Sequence, residues 1–280
     1  MLIGAHVPTR GRGVAGALES ATQVGAAAIQ IWGSNPRAWR PPAIRQADVD
    51  AFAQALPGSG VRAVFLHAPY MVNVASADED VRARSVELAR ATVALADALG
   101  ADGVVVHAGA AGARTTREAA VERAAASLTE VARAAQRTHV LVELTAGTAG
   151  AVASTFPEAR ELFDACGGHE RLALCADTCH LFAAGYELDT ADGVASCFGE
   201  LRRARLARAL RLVHANDSRF GRGEHRDAHT HIGRGRIGEA GFAAILAQPA
   251  VRRAAVVCET PGRLEDTARN VATLRRLAGS

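Results

Sequence analysis

The sequence predicts an α/β fold, a (β/α)8 TIM barrel forming a single domain over residues 1–280. Three observations predict it. Short apolar, β-branched runs recur eight times, stretches of helical periodicity separate them, and the runs are apolar on both faces, as strands covered on both sides must be. A chain of 280 residues could instead hold two small domains, but no Pro/Gly/Ser-rich linker or composition shift divides it.

In chain order, the strand-like runs are Leu2 to Ala5, Ala27 to Ile31, Val61 to Leu66, Gly103 to Val106, Val140 to Val142, Leu172 to Cys175, Leu210 to Val213 and Ala254 to Cys258. The clearest helix lies between the third and fourth, from Asp78 to Leu99, where Leu88, Ala91, Leu95 and Leu99 share a face and Gly100 gives the stop signal. Thr115 to Arg137 repeats the pattern with Ala, Glu and Arg. The long loop from Arg219 to His231 suits a functional insertion better than a domain boundary.

Composition narrows the function classes. Hydrophobic residues at 49% and charged residues at 22% suit a large core and exclude extended disorder. The opening MLIGAHVPTRGRG lacks the basic and apolar regions of a signal peptide, and no stretch approaches the ~20 apolar residues of a membrane span, so a cytoplasmic protein is expected. Five cysteines without a CxxC pair argue for reduced, buried thiols rather than a disulfide framework or thiolate zinc knuckle. A net charge of +3 is too small for a tail-like nucleic-acid binder, yet a local basic face could still meet phosphates. Every basic side chain other than histidine is arginine, which together with the abundant alanine marks a composition bias.

In a barrel of this kind the chemistry sits at the carboxyl ends of the strands. There the third run is closed by His67, the fourth by His107, the fifth by Glu143, the sixth by Asp177, the seventh by His214 and the eighth by Glu259. Any one of these could be an ordinary hydrogen-bonded polar residue. Together, three imidazoles and three carboxylates at one end would cost several kcal/mol per uncompensated charge, and cations are the usual compensation. His180 in DTCH, and Asp227 with His229 in DAHTH, add donors in the loops just beyond. Nine candidates exceed what one ion takes, so two or three metals are implied. Imidazole and oxygen donors without thiolate favour zinc or manganese. Paired ions suit phosphodiester hydrolysis, because they activate water and stabilise the departing oxygen. His6 and His231 could orient these ligands, whereas His139, His169 and His225 suit structural or solvent roles.

With those residues in place, the chain resembles the endonuclease IV family of apurinic/apyrimidinic endonucleases along nearly its whole length. The matching segments are IGAHV at 3–7, NPRAWR at 35–40, HAPYMVN at 67–73, ADTCHLFAAGYEL at 176–188, HANDS at 214–218 and DAHTHIGRGRIG at 227–238. The resemblance implies incision 5′ to an abasic site in duplex DNA, leaving a 3′-hydroxyl, by a monomer active in the cytoplasm at the nucleoid. It implies three Zn2+ ions, with Mn2+ able to replace zinc at one or more positions. One would sit on His67, His107 and Glu143, a second on Glu143, Asp177, His214 and Glu259, and a third on His180, Asp227 and His229. Glu143, Glu259 and His107 would carry catalysis. Arg37, Tyr70 and Met71 would enter the DNA and help hold the abasic nucleotide out of the helix; Trp39 by its own type reads as a packing residue. Leu144 after Glu143, Ala108 after His107 and Ala38 after Arg37 depart from the asparagine, proline and glutamine usual there.

Two other readings compete. A sugar isomerase or epimerase of the same barrel superfamily would need one ion on Glu143, Asp177, His214 and Glu259, and would leave His67, His107, His180, Asp227 and His229 without a purpose. A non-catalytic protein that recognises damaged DNA would have no use for the full ligand complement.

Overall fold

The apolar runs pair edge to edge into a closed barrel of parallel strands: Leu2–His6, Ala28–Trp32, Ala63–His67, Gly103–His107, His139–Glu143, Leu172–Asp177, Leu210–His214 and Ala255–Cys258. This is a computed structural model; it describes residues 1–112 and 115–279, the side chains of residues 10–12 excepted. The barrel closes where the first strand meets the eighth, with Leu2 opposite Ala255 and Ala5 opposite Cys258. Closure leaves no strand edge open in the barrel.

Helices return the chain between strands and cover the outside. The helix expected from Asp78 runs Glu79–Leu99, because the Asp78 side chain accepts from Val81 N at the start and Gly100 takes a left-handed turn (φ 66°) at the end. Thr116 caps Arg117–Ala134 in the same way. The third strand starts at Ala63 rather than Val61, since its ladder with the second strand opens at the Ala28–Ala63 pair. A short antiparallel ribbon, Asp217–Ser218 against His229–Thr230, lies outside the barrel and had no counterpart in the apolar pattern. Among the described residues, no helix is long and apolar enough to cross a membrane.

Strand alternation decides which side chains enter the barrel. Ala28, Phe65, Val105, Leu141, Cys175, Leu212 and Val257 belong to one buried cluster, the interior, separate from the larger core under the helices. Two residues further along each of these strands, on the same inward face, stand Gln30, His67, His107, Glu143, Asp177, His214 and Glu259. The top layer of the barrel interior is therefore polar, while the layer below it is apolar.

Candidate metal centre

Seven inward positions at one mouth do not complete the set; two local structures bring in the rest. The short helix Thr178–Ala183 begins directly after Asp177, whose carboxylate accepts from His180 N at 3.0 Å, so the first turn lays His180 beside the strand end. The ribbon pairs Ser218 with His229 and carries Asp227 back over the mouth. The structure thus brings all nine sequence-predicted ligands together. Their donor atoms form three groups, each within 4.8 Å: His67, His107 and Glu143; Glu143, Asp177, His214 and Glu259; and His180, Asp227 and His229. Glu143 belongs to two of them. Its Oε2 lies 3.1 Å from His67 Nε2 and 3.2 Å from His107 Nε2, while its Oε1 lies 3.0 Å from His214 Nδ1. Asp227 bridges the third group, 3.1 Å from both His180 Nε2 and His229 Nε2.

The histidines turn a consistent face to the carboxylates. His67 Nδ1 donates to Ala68 O (2.6 Å), His180 Nδ1 to Leu144 O (2.9 Å) and His229 Nδ1 to Glu259 O (3.3 Å). Each ring spends one proton on a backbone carbonyl and turns its other nitrogen to the cluster, where a cation could take the place of a proton, which is how metal-ligating imidazoles are held. His229 Nε2 is buried beside Asp227 yet makes no aligned hydrogen bond, an atom that a cation would satisfy. Leu144 fits this scheme despite departing from the family pattern, since its carbonyl, not its side chain, receives His180. Ala108 uses the N–H that a proline would lack to bond Glu143 O at 3.3 Å.

Charge supports the same conclusion. Burial pushes Glu143 up, but the neighbouring His214 and His107 outweigh it and hold the carboxyl well below its usual range. Burial is likewise overcome at Glu259, chiefly by His214, and at Asp227 by the adjacent His180 and His229. Conversely, burial lowers His229, yet Asp177 and Asp227 lift it to about 9. The cluster holds anions that attract protons onto the rings, and a divalent cation competes for the same place. Two thiols lie close enough to be considered, Cys175 near Glu143 and Cys179 near Asp177. Burial pushes them up to about 12 and about 11, so without a cation both are protonated, and nine nitrogen and oxygen donors fill three groups without them.

Three supporting residues escaped the sequence reading. Gln30 is fully buried and touches both His214 and Glu259. Asn216 donates to Asp177 Oδ2 at 2.6 Å and accepts from Glu259 N at 2.7 Å, joining the sixth and eighth strand ends. Asp217, with no exposed surface, accepts from the backbone N–H groups of Ser218, Gly233, Gly235, Ile237 and Gly238 at 2.9–3.3 Å. The glycines of IGRGRIG follow from that cradle: a Cβ on Gly235 would meet Asp217 Oδ1 and Ser218 O at 2.4 Å. A polar residue within the apolar run AIQIW, and the polar HANDS after a ligand, were the available signals.

The mouth opens into a cavity of about 390 Å3 lined by His67, Tyr70, His107, Glu143, His180, Asp227, His229, Glu259 and Pro261. Tyr70 is 61% exposed and leans on Trp32, their ring centroids 4.8 Å apart. Its backbone N–H donates to Pro36 O at 3.2 Å, which ties its loop to the loop of exposed Arg37. Met71 is half-buried beside it. Trp39, expected to pack, leaves 38% of its surface exposed on the same loop as Arg37. Of the other histidines, His6 bonds Gln30 at 3.0 Å, His231 accepts from Asn270 Nδ2 at 3.0 Å, and His139 sits at the opposite mouth.

Comparison with known proteins gives a consistent result. Residues 18–277 match the family model described as xylose isomerase-like TIM barrel. A probable endonuclease 4 of Methanoculleus marisnigri is 38% identical over 287 residues, covering 100% of both chains. A probable endonuclease 4 of Nitratidesulfovibrio vulgaris strain Hildenborough is 39% identical over 285 residues, covering 100% of this chain and 99% of its own. The crystal structure of endonuclease IV from Thermus thermophilus superimposes with a TM-score of 0.89 at 34% identity, over 100% of this chain and 99% of its own.

Proposed function

This chain belongs to the endonuclease IV family within the xylose isomerase-like TIM barrels, and from that premise we propose how its carboxyl mouth works. The protein is a metal-dependent apurinic/apyrimidinic endonuclease. Its substrate is duplex DNA containing an abasic site, cut on the 5′ side to leave a 3′-hydroxyl, and it acts as a monomer in the cytoplasm at the nucleoid. His67, His107 and Glu143 hold one ion, Glu143, Asp177, His214 and Glu259 a second, and His180, Asp227 and His229 a third. Nitrogen and oxygen donors in groups of three or four match zinc, with manganese acceptable where oxygen dominates. When bound, the ions supply Lewis acidity toward the phosphate oxygens and a water made nucleophilic at neutral pH.

The residues of the chain set the geometry for that chemistry. Glu143, Glu259 and His107 carry catalysis: Glu143 joins two donor groups, and His107 and Glu259 complete them on either side at the open cavity. Tyr70 stays a neutral hydroxyl, because burial and then the nearby acids Glu259, Asp227 and Glu143 raise it further. An exposed ring tied to the Arg37 loop is suited, with Arg37 and Met71, to enter the DNA and fill the gap beside a missing base.

The observation that carries this reading is the junction at Glu143, where two of three contiguous donor groups share one buried carboxylate. Its test is direct. Purified protein is assayed for metal atoms per chain and incubated with a duplex holding one abasic site and, separately, with ketoses. Near three metals per chain and a nick 5′ to the lesion are expected. Near one metal per chain, with ketose isomerisation and no nick, would overturn the proposal.

A further inference from the structure

Gln30 sits in the second strand, on the same inward face as the ligands, and has no exposed surface. Its side-chain nitrogen lies 2.6 Å from Glu259 Oε1 and 3.0 Å from His6 Nδ1, and its oxygen lies 2.8 Å from His214 Nε2. An amide can be turned two ways, but a carboxylate accepts only, so the nitrogen must face Glu259. That orientation dictates the tautomer of both neighbouring rings. With the amide oxygen toward His214 Nε2, this nitrogen must carry a ring proton, so Nδ1 is the atom that exchanges its proton for a cation. Nδ1 is the atom 3.0 Å from Glu143 Oε1 and 3.2 Å from Glu259 Oε2. His6 Nδ1 lies 3.0 Å from the second amide proton's nitrogen and 3.4 Å from Glu259 Oε1; the shorter contact is with a donor, so Nδ1 accepts and His6 carries its proton on Nε2.

We propose that Gln30 is a positioning residue that sets two histidine tautomers at once, aiming His214 Nδ1 at the metal group it shares with Glu143, Asp177 and Glu259 and leaving His6 Nε2–H as a hydrogen-bond donor for a substrate oxygen. The other ligand histidines with a fixed tautomer use backbone carbonyls; His214 uses this side chain. The His6 half of the proposal has its own support. Among the described residues His6 Nε2 is buried and has no hydrogen-bond partner, and unpaired buried donors are rare. His6 also lines, with Trp32, Asn35, Thr260 and Arg263, a groove of about 1120 Å3 alongside the metal cavity. A phosphate or sugar oxygen of a nucleic-acid strand in that groove is an acceptor of the right chemistry.

The metal-directed half rests on the reading of the mouth as a metal centre, so the experiment separates the two. Protein labelled with 15N at histidine and supplied with zinc is examined by long-range 1H–15N correlation. His214 and His6 are expected with the ring proton on Nε2 in the wild type, and with mixed protonation or Nδ1–H in Gln30→Leu. Zinc affinity is then measured by competition with a chelator. Gln30→Leu should lose roughly 10–100-fold at one of the bound ions, with unchanged far-UV circular dichroism, and Gln30→Glu should recover the His214 tautomer while still binding zinc less tightly. Wild-type protein that binds no zinc would sink the metal reading and leave the tautomers to stand on their spectra. Wild type that binds zinc, with Gln30→Leu equal in affinity and both rings unchanged in tautomer, would overturn the role of Gln30. For His6, protection of its Nε2–H from solvent exchange on adding a non-cleavable abasic duplex is expected, and no change would remove it as a substrate donor.

Discussion

The two mouths of the barrel are made by the same eight strands and the same inward face, yet they carry opposite chemistry. At the amino mouth the inward positions and their surroundings are Leu2, Ala63, His139, Leu210 and Ala255, bordered by Arg137, Arg208, Arg211 and Arg253 around a cavity of about 940 Å3. At the carboxyl mouth they are Gln30, His67, His107, Glu143, Asp177, His214 and Glu259, followed by the buried Asn216 and Asp217. Each mouth continues the apolar middle layer by one step. The middle layer, with the closed ladder, supplies cohesion, so either end is free to diverge. Only the carboxyl end also receives loops that bring His180, Asp227 and His229 over it. Buried carboxylates there oppose folding unless paired, and the pairing they find is with each other's histidines and, when bound, with cations.

The strongest way to break this contrast is to remove the residue that joins the donor groups. Glu143→Ala should lower cleavage of an abasic duplex by roughly 10³-fold or more, corresponding to the several kcal/mol that bound cations supply to a developing charge. Far-UV circular dichroism should be unchanged, because the strand on either side of Glu143 is held by its ladder and by Val140 to Val142 in the core. Full activity in this variant would move the chemistry away from the carboxyl mouth altogether.

A second prediction concerns what holds the loops there. Asp217→Ala leaves five backbone N–H groups without their acceptor in a buried site. Urea unfolding should show a loss of about 3–5 kcal/mol, large for a single substitution because several unsatisfied donors add. The same variant should lose metal first from the group of His180, Asp227 and His229, whose ribbon begins at Asp217. A stability within about 0.5 kcal/mol of wild type would mean that water replaces the carboxylate and that the loop does not depend on it.

The same geometry decides how much of this was legible in the sequence. The ligands at strand ends could be read because a histidine or acid interrupts an apolar run, and that interruption survives in one dimension. DTCH could be read because a helix start places residues three apart side by side. Gln30 could not be seen by looking only at the last residue of each strand. It lies two short of the end of its strand, and only the parity relation to Ala28 and its neighbours across the barrel places it in the ligand layer. Asp217 was hidden for a different reason. Its partners are backbone groups, which carry no residue identity, and most lie 16–21 positions away. The exposure of Trp39 shows the limit at the surface: a large apolar ring in a loop is read as packing, but the loop around it is held by backbone turns and by the bond from Tyr70 N to Pro36 O.

The smallest expected effect sharpens the contrast from the other side. His139 occupies the inward position at the amino end of the fifth strand, opposite Glu143 at its carboxyl end. Burial, and then Arg211, hold its pKa below 6.5. A histidine whose folded pKa is lowered binds fewer protons folded than unfolded between the two values, so stability falls as pH drops through that window. Above about pH 6.5 the group contributes no pH dependence, and below its folded pKa the loss is complete. His139→Gln should therefore show a shallower fall in the urea midpoint than wild type on going from about pH 7.5 to about pH 5.5. The difference stays within about 0.5 kcal/mol, because the ring is only partly buried and solvent screens its neighbours. Metal content and cleavage should not change, since no donor group among the described residues includes this ring. A loss of metal or of cleavage in His139→Gln would show that the two mouths are coupled through the fifth strand, against the division between an arginine-bordered amino end and a ligand-bearing carboxyl end.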